Sequence, residues 1–199
     1  AICPRSERHS EPFERLDGVD IYRHALPLEA AGAMGFLLEY ATALFHEFRL
    51  LVKIARKRGI DVIQACNPPD LIFLVALPFK LFGTRFVFDH HDSSPALYLA
   101  KFNRRDLFYR ALLLAERLTF AIADRIIVAN ESYRENAILR GRRQPDEVTA
   151  VYSVPDLKRI QRVAPDPKIR GDAEVVLGYV GIIAAQDGVD HLVRMMQHL

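Results

Sequence analysis

The sequence contains little of what disulfide-rich, secreted or membrane-spanning proteins require. Its 199 residues include only two cysteines, too few for a disulfide framework, so we expect Cys3 and Cys66 to be buried free thiols in a reducing compartment. The longest apolar run covers residues 71–79, far short of the ~20 residues that a transmembrane helix needs. Charged side chains stand where a signal peptide would have its apolar core. These absences predict a soluble cytoplasmic protein.

No charge of one sign dominates the sequence. Lysine and arginine total 27, and aspartate and glutamate total 25, which leaves a net charge of +2. Domains that bind nucleic acid usually carry a clear excess of positive charge, so this balance predicts no nucleic-acid partner. Hydrophobic residues make up 50% of the chain and charged residues 26%, which excludes extensive disorder and predicts a sizeable core.

Both ends of the sequence interrupt a regular pattern. The chain opens without methionine on a short apolar stretch typical of the end of a strand. It stops inside an amphipathic helical pattern at residues 190–199. We therefore expect the sequence to be a piece of a longer protein.

Short apolar strands alternate with helices through most of the chain. Residues 4–18 predict a loop, residues 19–24 a strand, and the stretch between Gly35 and Gly59 a long helix. Further strands are predicted at residues 61–66, 84–89, 124–130 and 147–152, and further helices at residues 71–82, 96–123 (with an interruption) and 131–140. No hairpin is expected. The alternation predicts an α/β fold with a parallel sheet covered by helices on both faces.

A change of composition predicts a domain boundary near the end of the chain. Residues 158–173 are rich in charge and proline and lack apolar periodicity, which is typical of a linker. Residues 174–183 then predict a strongly apolar strand, followed by a turn and a helix. We therefore predict a first domain at residues 1–157 and the first strand and helix of a second domain at residues 174–199.

Polar residues gather where the predicted strands end. These junctions are residues 67–70, 90–94, 130–131 and 181–188. In parallel α/β sheets, ligands bind at the carboxyl ends of the strands, where loops and helix N-termini converge. The first junction also has a purely structural interpretation, a tight turn in which Asp70 caps the next helix. The glycines of the last junction can bring backbone N–H groups to a phosphate, or can simply close the turn.

The densest junction is Asp89-His90-His91-Asp92. Adjacent histidines on a strand point to opposite faces, so both rings cannot bind one metal ion unless the backbone turns, and we favour no metal site. Two interpretations stay open. In one, a histidine packs beneath the following helix, which Asp92 or Ser93 caps. In the other, one imidazole faces a cleft and hydrogen-bonds a polar ligand such as a sugar hydroxyl.

Four motifs occur in order along the chain. They are NPPD at residues 67–70, FDHHDSSPALY at residues 88–98, ER-x-x-F-x-x-AD-R-x-I-x-x-N at residues 116–130, and GYVG-x-I-x-x-QDGVD-x-L at residues 178–192. Together they resemble the family 4 glycosyltransferases of the GT-B architecture, in particular a bacterial group that acts in polysaccharide or glycan assembly. The likeness covers nearly the whole chain.

The resemblance implies two Rossmann-like domains that face each other across a cleft. The first would hold mainly the acceptor, a glycan or a lipid-linked sugar, and the second a nucleotide-diphosphate sugar. The implied reaction is a hexosyl transfer with retention of configuration. It would need no metal and no cofactor besides the donor. The resemblance also allows peripheral contact with the inner face of the membrane.

The resemblance also implies roles for individual residues. His91 and Asp92 would be catalytic, with Asp92 and His90 fixing the tautomer of the His91 ring. The residues implied to bind substrate are His90, Asn67, Asp70 and Asn130, and those on the phosphate side of the donor are Gly181, Gln186, Asp187 and Gly188. The family's first strand would precede Ala1 and its remaining donor-binding motifs would follow Leu199, so we expect residues 1–199 alone to be inactive.

Two other functions stay open at this point. An Asp-His-His sequence after an apolar strand also resembles the metal-dependent DHH phosphoesterases, although residues 16–20 do not supply the further aspartate motif of that family. The second alternative is a non-catalytic binding domain with a Rossmann-like fold.

Overall fold

A computed structural model describes residues 1–25, 32–158, 160–181, 183 and 187–198. Its strands are β1 (Ile2–Pro4), β2 (Phe13–Leu16), β3 (Val19–His24), β4 (Val62–Cys66), β5 (Arg85–His90), β6 (Arg125–Val128) and β7 (Val148–Ala150). Its α-helices are α1 (Gly32–Arg58), α2 (Phe73–Lys80), α3 (Ser94–Phe102), α4 (Leu107–Ile122), α5 (Glu131–Leu139), α6 (Pro167–Arg170) and α7 (Val189–Met195). No helix in the described part of the chain is long and apolar enough to cross a membrane.

Four strands form a parallel sheet in the order β4-β5-β6-β7. The register places Ile63 beside Phe86 and Phe88 beside Ile126. Helices connect the strands, α2 after β4, α3 and α4 after β5, and α5 after β6, because parallel neighbours need a crossover connection. The predicted α/β fold with a parallel sheet flanked by helices is confirmed.

The core lies where the helices cover this sheet. Phe86, Phe88, Ile126 and Val128 are at most 1% exposed. On α4, Phe120 is also fully buried, and its ring centroid lies 5.8 Å from that of Phe88 in an edge-to-face arrangement. Burial of each such side chain contributes about 1.5–3 kcal/mol to folding. This packing fixes β5 and β6, and therefore the loops that follow them.

A second sheet forms at the start of the chain, in the order β1-β3-β2. Its strands β2 and β3 are an antiparallel hairpin, so the prediction of a loop at residues 4–18 without any hairpin is wrong. The turn residues Asp17 and Gly18 have φ angles of 49° and 83°. Positive φ at both positions gives a turn whose twist matches the strands, and Asp-Gly is a preferred pair for it. The charged and proline-containing stretch before residue 13 obscured this signal.

Helix α1 connects the two sheets, since it contacts β1, β3 and α2. Leu44 and Leu51 pack against the core from this helix. Three basic residues occupy its last turn, where they complement the helix dipole. The chain then leaves the helix at Gly59, whose φ is 72°. The long helix predicted for this stretch is confirmed.

Asp70 does not cap α2 as predicted. The helix begins only at Phe73, with Ile72 at its N-cap position. Residues after Pro69 first form a turn, in which the Ile72 N–H donates to the Pro69 carbonyl over 3.1 Å. The Asp70 carboxylate is engaged elsewhere, because it accepts a 2.8 Å hydrogen bond from the side chain of Asn67.

The strand predicted at residues 174–183 does not form within its described part, residues 174–181 and 183. A strand needs a neighbour to satisfy its backbone groups, and neither sheet includes these residues. The apolar side chains of Val175 and Val180 are 62% and 102% exposed. The helix predicted to follow is present as α7. A second domain at residues 174–199 stays a prediction.

The two cysteines are free, but they are not buried as expected. Cys3 is half-buried and Cys66 is exposed. Cys66 is the last residue of β4, which among the described residues lies at an edge of the parallel sheet with β5 as its paired strand. Partial burial and the negative charge of Asp89 raise the pKa of the Cys66 thiol.

Candidate active site

Asn67 joins the loops that follow β4 and β5. Its side chain is 3% exposed, and its Nδ2 donates to the Asp92 carbonyl (2.5 Å) and to Asp70 Oδ1 (2.8 Å). Its Oδ1 accepts from the backbone N–H groups of His91 (2.9 Å) and Asp92 (3.3 Å). A primary amide has both donors and an acceptor, so one side chain holds both loops. Asn67 was predicted to bind substrate. In the structure its side chain lies beneath the loop that follows β5 and supports that loop.

Asp70 belongs to the same buried network. It is 8% exposed, and Thr119 Oγ1 on α4 donates to its backbone carbonyl over 2.6 Å. Burial raises the pKa of the Asp70 carboxyl, against the opposing effect of hydrogen bonds from Ser94 and Asn67. Asp70 therefore ties the turn before α2 to α4, and offers little surface to a ligand.

The adjacent histidines point to opposite sides of β5, as side-chain alternation predicts. His90 is 1% exposed. Its ring centroid lies 5.5 Å, 5.1 Å and 5.0 Å from those of Phe88, Phe120 and Tyr133. The interpretation in which one histidine packs beneath the helices therefore describes His90. The His90 ring therefore offers almost no surface to a ligand in this structure. Within the described residues, no group of three or more His, Cys, Asp or Glu side chains is placed to hold a metal ion.

We expect His90 to make the protein sensitive to acid. Burial, reinforced by the positive charge of Arg140, lowers the pKa of His90 from 6.5 to about 4. Between these values the unfolded chain binds a proton that the folded chain does not, so the contribution to stability is lost as the pH falls from 6.5 towards 4. At ~1.4 kcal/mol per pKa unit, the loss is about 3 kcal/mol. The free energy of unfolding, measured by chemical denaturation at about pH 7 and pH 4.5, should fall less between these pH values in His90→Phe than in the unsubstituted protein. An equal fall in both proteins would contradict this assignment.

His91 is the exposed ring at the end of β5. Its side chain is 54% exposed, and its Nε2 lies 3.2 Å from Asp89 Oδ1. Gln64 Nε2 on β4 donates to Asp89 Oδ2 over 3.1 Å, which holds the carboxylate in place. Asp92 and His90 were predicted to fix the tautomer of the His91 ring. In the structure, Asp89 is the group that lies beside this ring. Residues two apart on a strand share a face, so the spacing of Asp89 and His91 was the sequence signal for this pair.

Two exposed groups adjoin the loop that follows β5. Asp92 is exposed, and Tyr40 on α1 is 38% exposed. Burial, followed by the negative charges of Asp70, Glu39 and Asp92, raises the pKa of the Tyr40 phenol. These charges indicate that the phenol lies beside the loop after β5. No motif pointed to Tyr40, because only tertiary packing brings α1 to this edge of the sheet.

A buried ion pair supports the same loop. Glu116 on α4 is 2% exposed, and its Oε2 lies 3.1 Å from Nη2 of Arg140, the residue after α5. The Ser93 hydroxyl donates to Glu116 Oε2 (3.4 Å) and accepts from Arg140 Nη2 (3.3 Å). Ser93 stands at the N-cap position of α3 without a side-chain cap bond, so the predicted cap is replaced by this cluster. Burial raises the pKa of Glu116 and the charge of Arg140 opposes that rise.

The remaining predicted residues have local roles in the structure. Asn130 lies two residues after the end of β6 and caps α5, its side chain accepting a 2.9 Å hydrogen bond from a backbone N–H of the first turn. Gly188 has a φ of 66° and stands at the N-cap of α7. Gly181 and Asp187 are exposed. Gln186 lies outside the described residues.

Comparison with known families identifies one family model that fits the chain. The model is described as a glycosyl transferase 4-like domain, and it matches residues 1–153. The match includes both sheets and the whole cluster around His91. Among curated proteins, no sequence matches the chain.

Among solved structures, the chain is similar to a sucrose-phosphate synthase from Thermosynechococcus elongatus. The TM-score is 0.66 at 16% sequence identity. The alignment covers 100% of this chain and 49% of that one, so the chain spans about half the length of the structure it matches. At this level of identity the similarity establishes the fold alone.

Proposed function

The chain belongs to the family of glycosyl transferase 4-like domains and has a GT-B fold, and we propose from this premise that it serves sugar transfer from a nucleotide-diphosphate donor. The acceptor we propose is a glycan or a lipid-linked sugar in polysaccharide assembly. Family membership supports glycosyl transfer in general. The hexosyl donor, the retention of configuration and the activity of the whole protein are part of the proposal.

The observation that supports the proposal most strongly is the exposed, anchored ring of His91. It stands at the carboxyl ends of parallel strands, where open α/β sheets bind their ligands. Asn67 holds the backbone beneath it and Asp89 lies 3.2 Å from its Nε2. An imidazole can both donate to and accept from sugar hydroxyls. This arrangement favours binding of a polyhydroxylated ligand over hydrophobic recognition.

We propose that His91 contacts the donor sugar close to its reacting carbon, with Asp92 beside it. The bond between that carbon and the diphosphate oxygen breaks while a bond to the acceptor hydroxyl oxygen forms on the same face of the ring, and the hydroxyl proton passes to the departing diphosphate. Positive charge develops on the sugar meanwhile. Groups that are already fixed in position stabilise this charge without reorganisation, which is the main catalytic contribution available here.

The phosphate side of the donor is assigned to the glycine-containing turn near the end of the sequence. We propose Gly181, Gln186, Asp187 and Gly188 for this role, on the resemblance of their motif. Glycines let backbone N–H groups approach a diphosphate closely. The proposal includes no metal and no cofactor besides the donor.

A donor screen tests the proposal. The natural full-length polypeptide is incubated with a panel of nucleotide-diphosphate hexoses, with and without an extract of bacterial lipid-linked glycans, and release of free nucleoside diphosphate is measured. We expect one donor to be consumed and its sugar to appear on an acceptor. A folded protein that consumes none of them would contradict the proposal, and manganese-dependent phosphodiester cleavage would favour the phosphoesterase alternative.

The corner between α3 and α4 suits contact with a membrane that carries such an acceptor. Its exposed basic and apolar side chains are those of Lys101, Phe102, Arg104, Arg105, Leu107, Phe108 and Arg110. Phe102, Leu107 and Phe108 are 56%, 80% and 57% exposed. The Tyr98 ring lies between the two phenylalanines, 4.8 Å and 5.2 Å from their centroids. We propose a cytoplasmic protein that attaches peripherally to the inner face of the membrane through this corner.

We expect the natural full-length protein to bind vesicles containing anionic phosphatidylglycerol and to bind neutral phosphatidylcholine weakly. Basic residues near an anionic surface contribute about 1 kcal/mol each, and the apolar side chains add by insertion. Leu107→Glu should weaken binding about tenfold or more in sedimentation. Leu139→Glu is the matched control, because Leu139 is also strongly exposed (76%) but lies at the end of α5. Equal loss in both variants would contradict this assignment.

A further inference from the structure

Unmatched polar atoms gather beneath the loop that follows β5. Buried atoms without a hydrogen-bonding partner among the described residues include Nε2 of His90, Oε1 of Glu116 and Nε of Arg140. His90 Nε2 lies 4.0 Å from Glu116 Oε2, which is too far for a hydrogen bond. Buried polar groups in native proteins almost always have partners, so their concentration in one place needs an explanation.

The ion pair in this cluster joins three elements of the fold. Glu116 lies on α4, Arg140 follows α5, and Ser93 precedes α3. Ser93 is 5% exposed, and its hydroxyl bonds both members of the pair. The cluster therefore connects two helices to the loop residue that lies two positions after His91.

Gly141 allows the end of α5 to approach α4 closely. A Cβ atom at this position would collide with the Ala137 carbonyl oxygen and with the ring of Phe120 on α4. Phe120 lies one turn after Glu116 on the same helix. The close approach therefore sets the guanidinium of Arg140 against the Glu116 carboxylate.

Stability alone does not explain this cluster. Burial opposes ionisation of Glu116 and raises its pKa, and apolar replacement of a buried ion pair is often neutral or stabilising. A serine at an N-cap normally accepts from the first turn of its helix. The Ser93 hydroxyl is instead held by the ion pair, over 3.3 Å and 3.4 Å. Native proteins depart from the most stable local arrangement chiefly where a functional site needs a fixed geometry.

We propose that Ser93, Glu116 and Arg140 are positioning residues for sugar transfer, an inference that rests on the proposed function. Asn67 holds the backbone N–H groups directly after β5, and the cluster holds Ser93 at the far end of the same short loop. Two fixed points leave the exposed ring of His91 one position above the sheet. With only Asn67 in place, the loop can turn about that point and the ring loses its alignment with the donor sugar.

Hydrogen exchange at single-residue resolution in the natural full-length protein tests whether the cluster fixes the loop. Ser93→Ala removes the hydroxyl and leaves the ion pair in place. Ser132→Ala, at an exposed serine on α5, is the matched control. We expect the amides of His91 and Asp92 to exchange about tenfold faster in Ser93→Ala and at an unchanged rate in the control. Exchange within about twofold of the unsubstituted protein would overturn the proposal.

Steady-state kinetics on the same variants test whether the fixed loop serves the reaction. Ser93→Ala should lower kcat about tenfold and leave KM for the donor within about twofold, because misalignment of a group that acts in the transition state affects mainly kcat. We expect its melting temperature to change by less than about 2 °C. A normal kcat in Ser93→Ala, whatever its melting temperature, would overturn the proposal.

The two assays separate this proposal from the proposed function. If His91→Ala loses turnover and Ser93→Ala keeps it, the positioning role is wrong and the proposed function stands. If the unsubstituted full-length protein consumes no donor, the proposed function fails, and the positioning role in sugar transfer fails with it. Faster exchange of the loop amides in Ser93→Ala would then still show that the cluster fixes the loop.

Discussion

His91→Ala in the natural full-length protein is expected to lower turnover of the donor about a hundredfold or more. The ring is 54% exposed and its Nε2 lies 3.2 Å from Asp89 Oδ1, so its removal should take away the proposed ligand contact and little packing. We therefore expect the melting temperature to change by less than about 2 °C. Turnover is measured as release of nucleoside diphosphate, and the melting temperature by calorimetry on the same preparations.

Two further variants sharpen this test. His9→Ala removes another exposed imidazole, far along the sequence from β5, and should leave turnover unchanged. Asp89→Asn keeps the volume beside His91 but removes the charge, so it should reduce turnover less than His91→Ala. A His91→Ala protein with normal turnover and a clearly lower melting temperature would assign the ring to packing instead.

Arg140→Met is expected to cause the largest loss of stability, about 3–5 kcal/mol. Glu116 is 2% exposed and its Oε2 lies 3.1 Å from Arg140 Nη2. Without the guanidinium, a buried carboxylate must either remain charged without its partner or take up a proton. Protonation is easier in acid, so the destabilisation should be smaller at about pH 5 than at about pH 8. Chemical unfolding at both pH values measures the difference.

The double variant Glu116→Leu/Arg140→Met separates a lost ion pair from lost packing. If the orphaned charge causes the damage, the double variant should be more stable than Arg140→Met alone, because apolar replacement of a whole buried pair is often tolerated. If the loss of stability in the double variant instead equals the sum of the losses in Glu116→Leu and Arg140→Met, each side chain acts through its own contacts. Because Ser93 bonds both partners, the loop before α3 should become more mobile in either single variant.

The parallel sheet could be predicted from the sequence because its strands are short, apolar and separated by helical patterns. The helices α1 and α5 were also predicted from the sequence pattern. Basic residues and Gly59 mark the C-terminal end of α1, and Asn130 caps the start of α5. The hairpin of β2 and β3 was missed because charged residues dominate its surroundings. No strand forms in the described part of residues 174–183, since apolar composition cannot supply a pairing partner.

The residues of the candidate site were predicted to gather at one edge of the sheet, and the structure places some of them on its surface and others beneath it. Asn67, Asp70 and His90 were predicted to bind substrate, and the structure buries all three side chains. Polar residue type indicates a need for hydrogen bonds, and burial in a network satisfies that need as well as a ligand does. Asp89 could have been found from its spacing to His91. Tyr40 could not, because its approach depends on how α1 packs.

His90 is the last residue of β5 and His91 follows it, and the opposite directions of their imidazoles constrain how this protein can change over evolutionary time. Phe88 anchors the strand in the core. The alternation of side chains along the strand then leaves the His90 ring buried and the His91 ring exposed. Gain or loss of a single residue between Phe88 and His91 would exchange the two rings, driving His91 into the aromatic interior and turning His90 outward. Length variation should therefore be tolerated after Ser94 but selected against within these few positions, even where the amino acids themselves are free to drift.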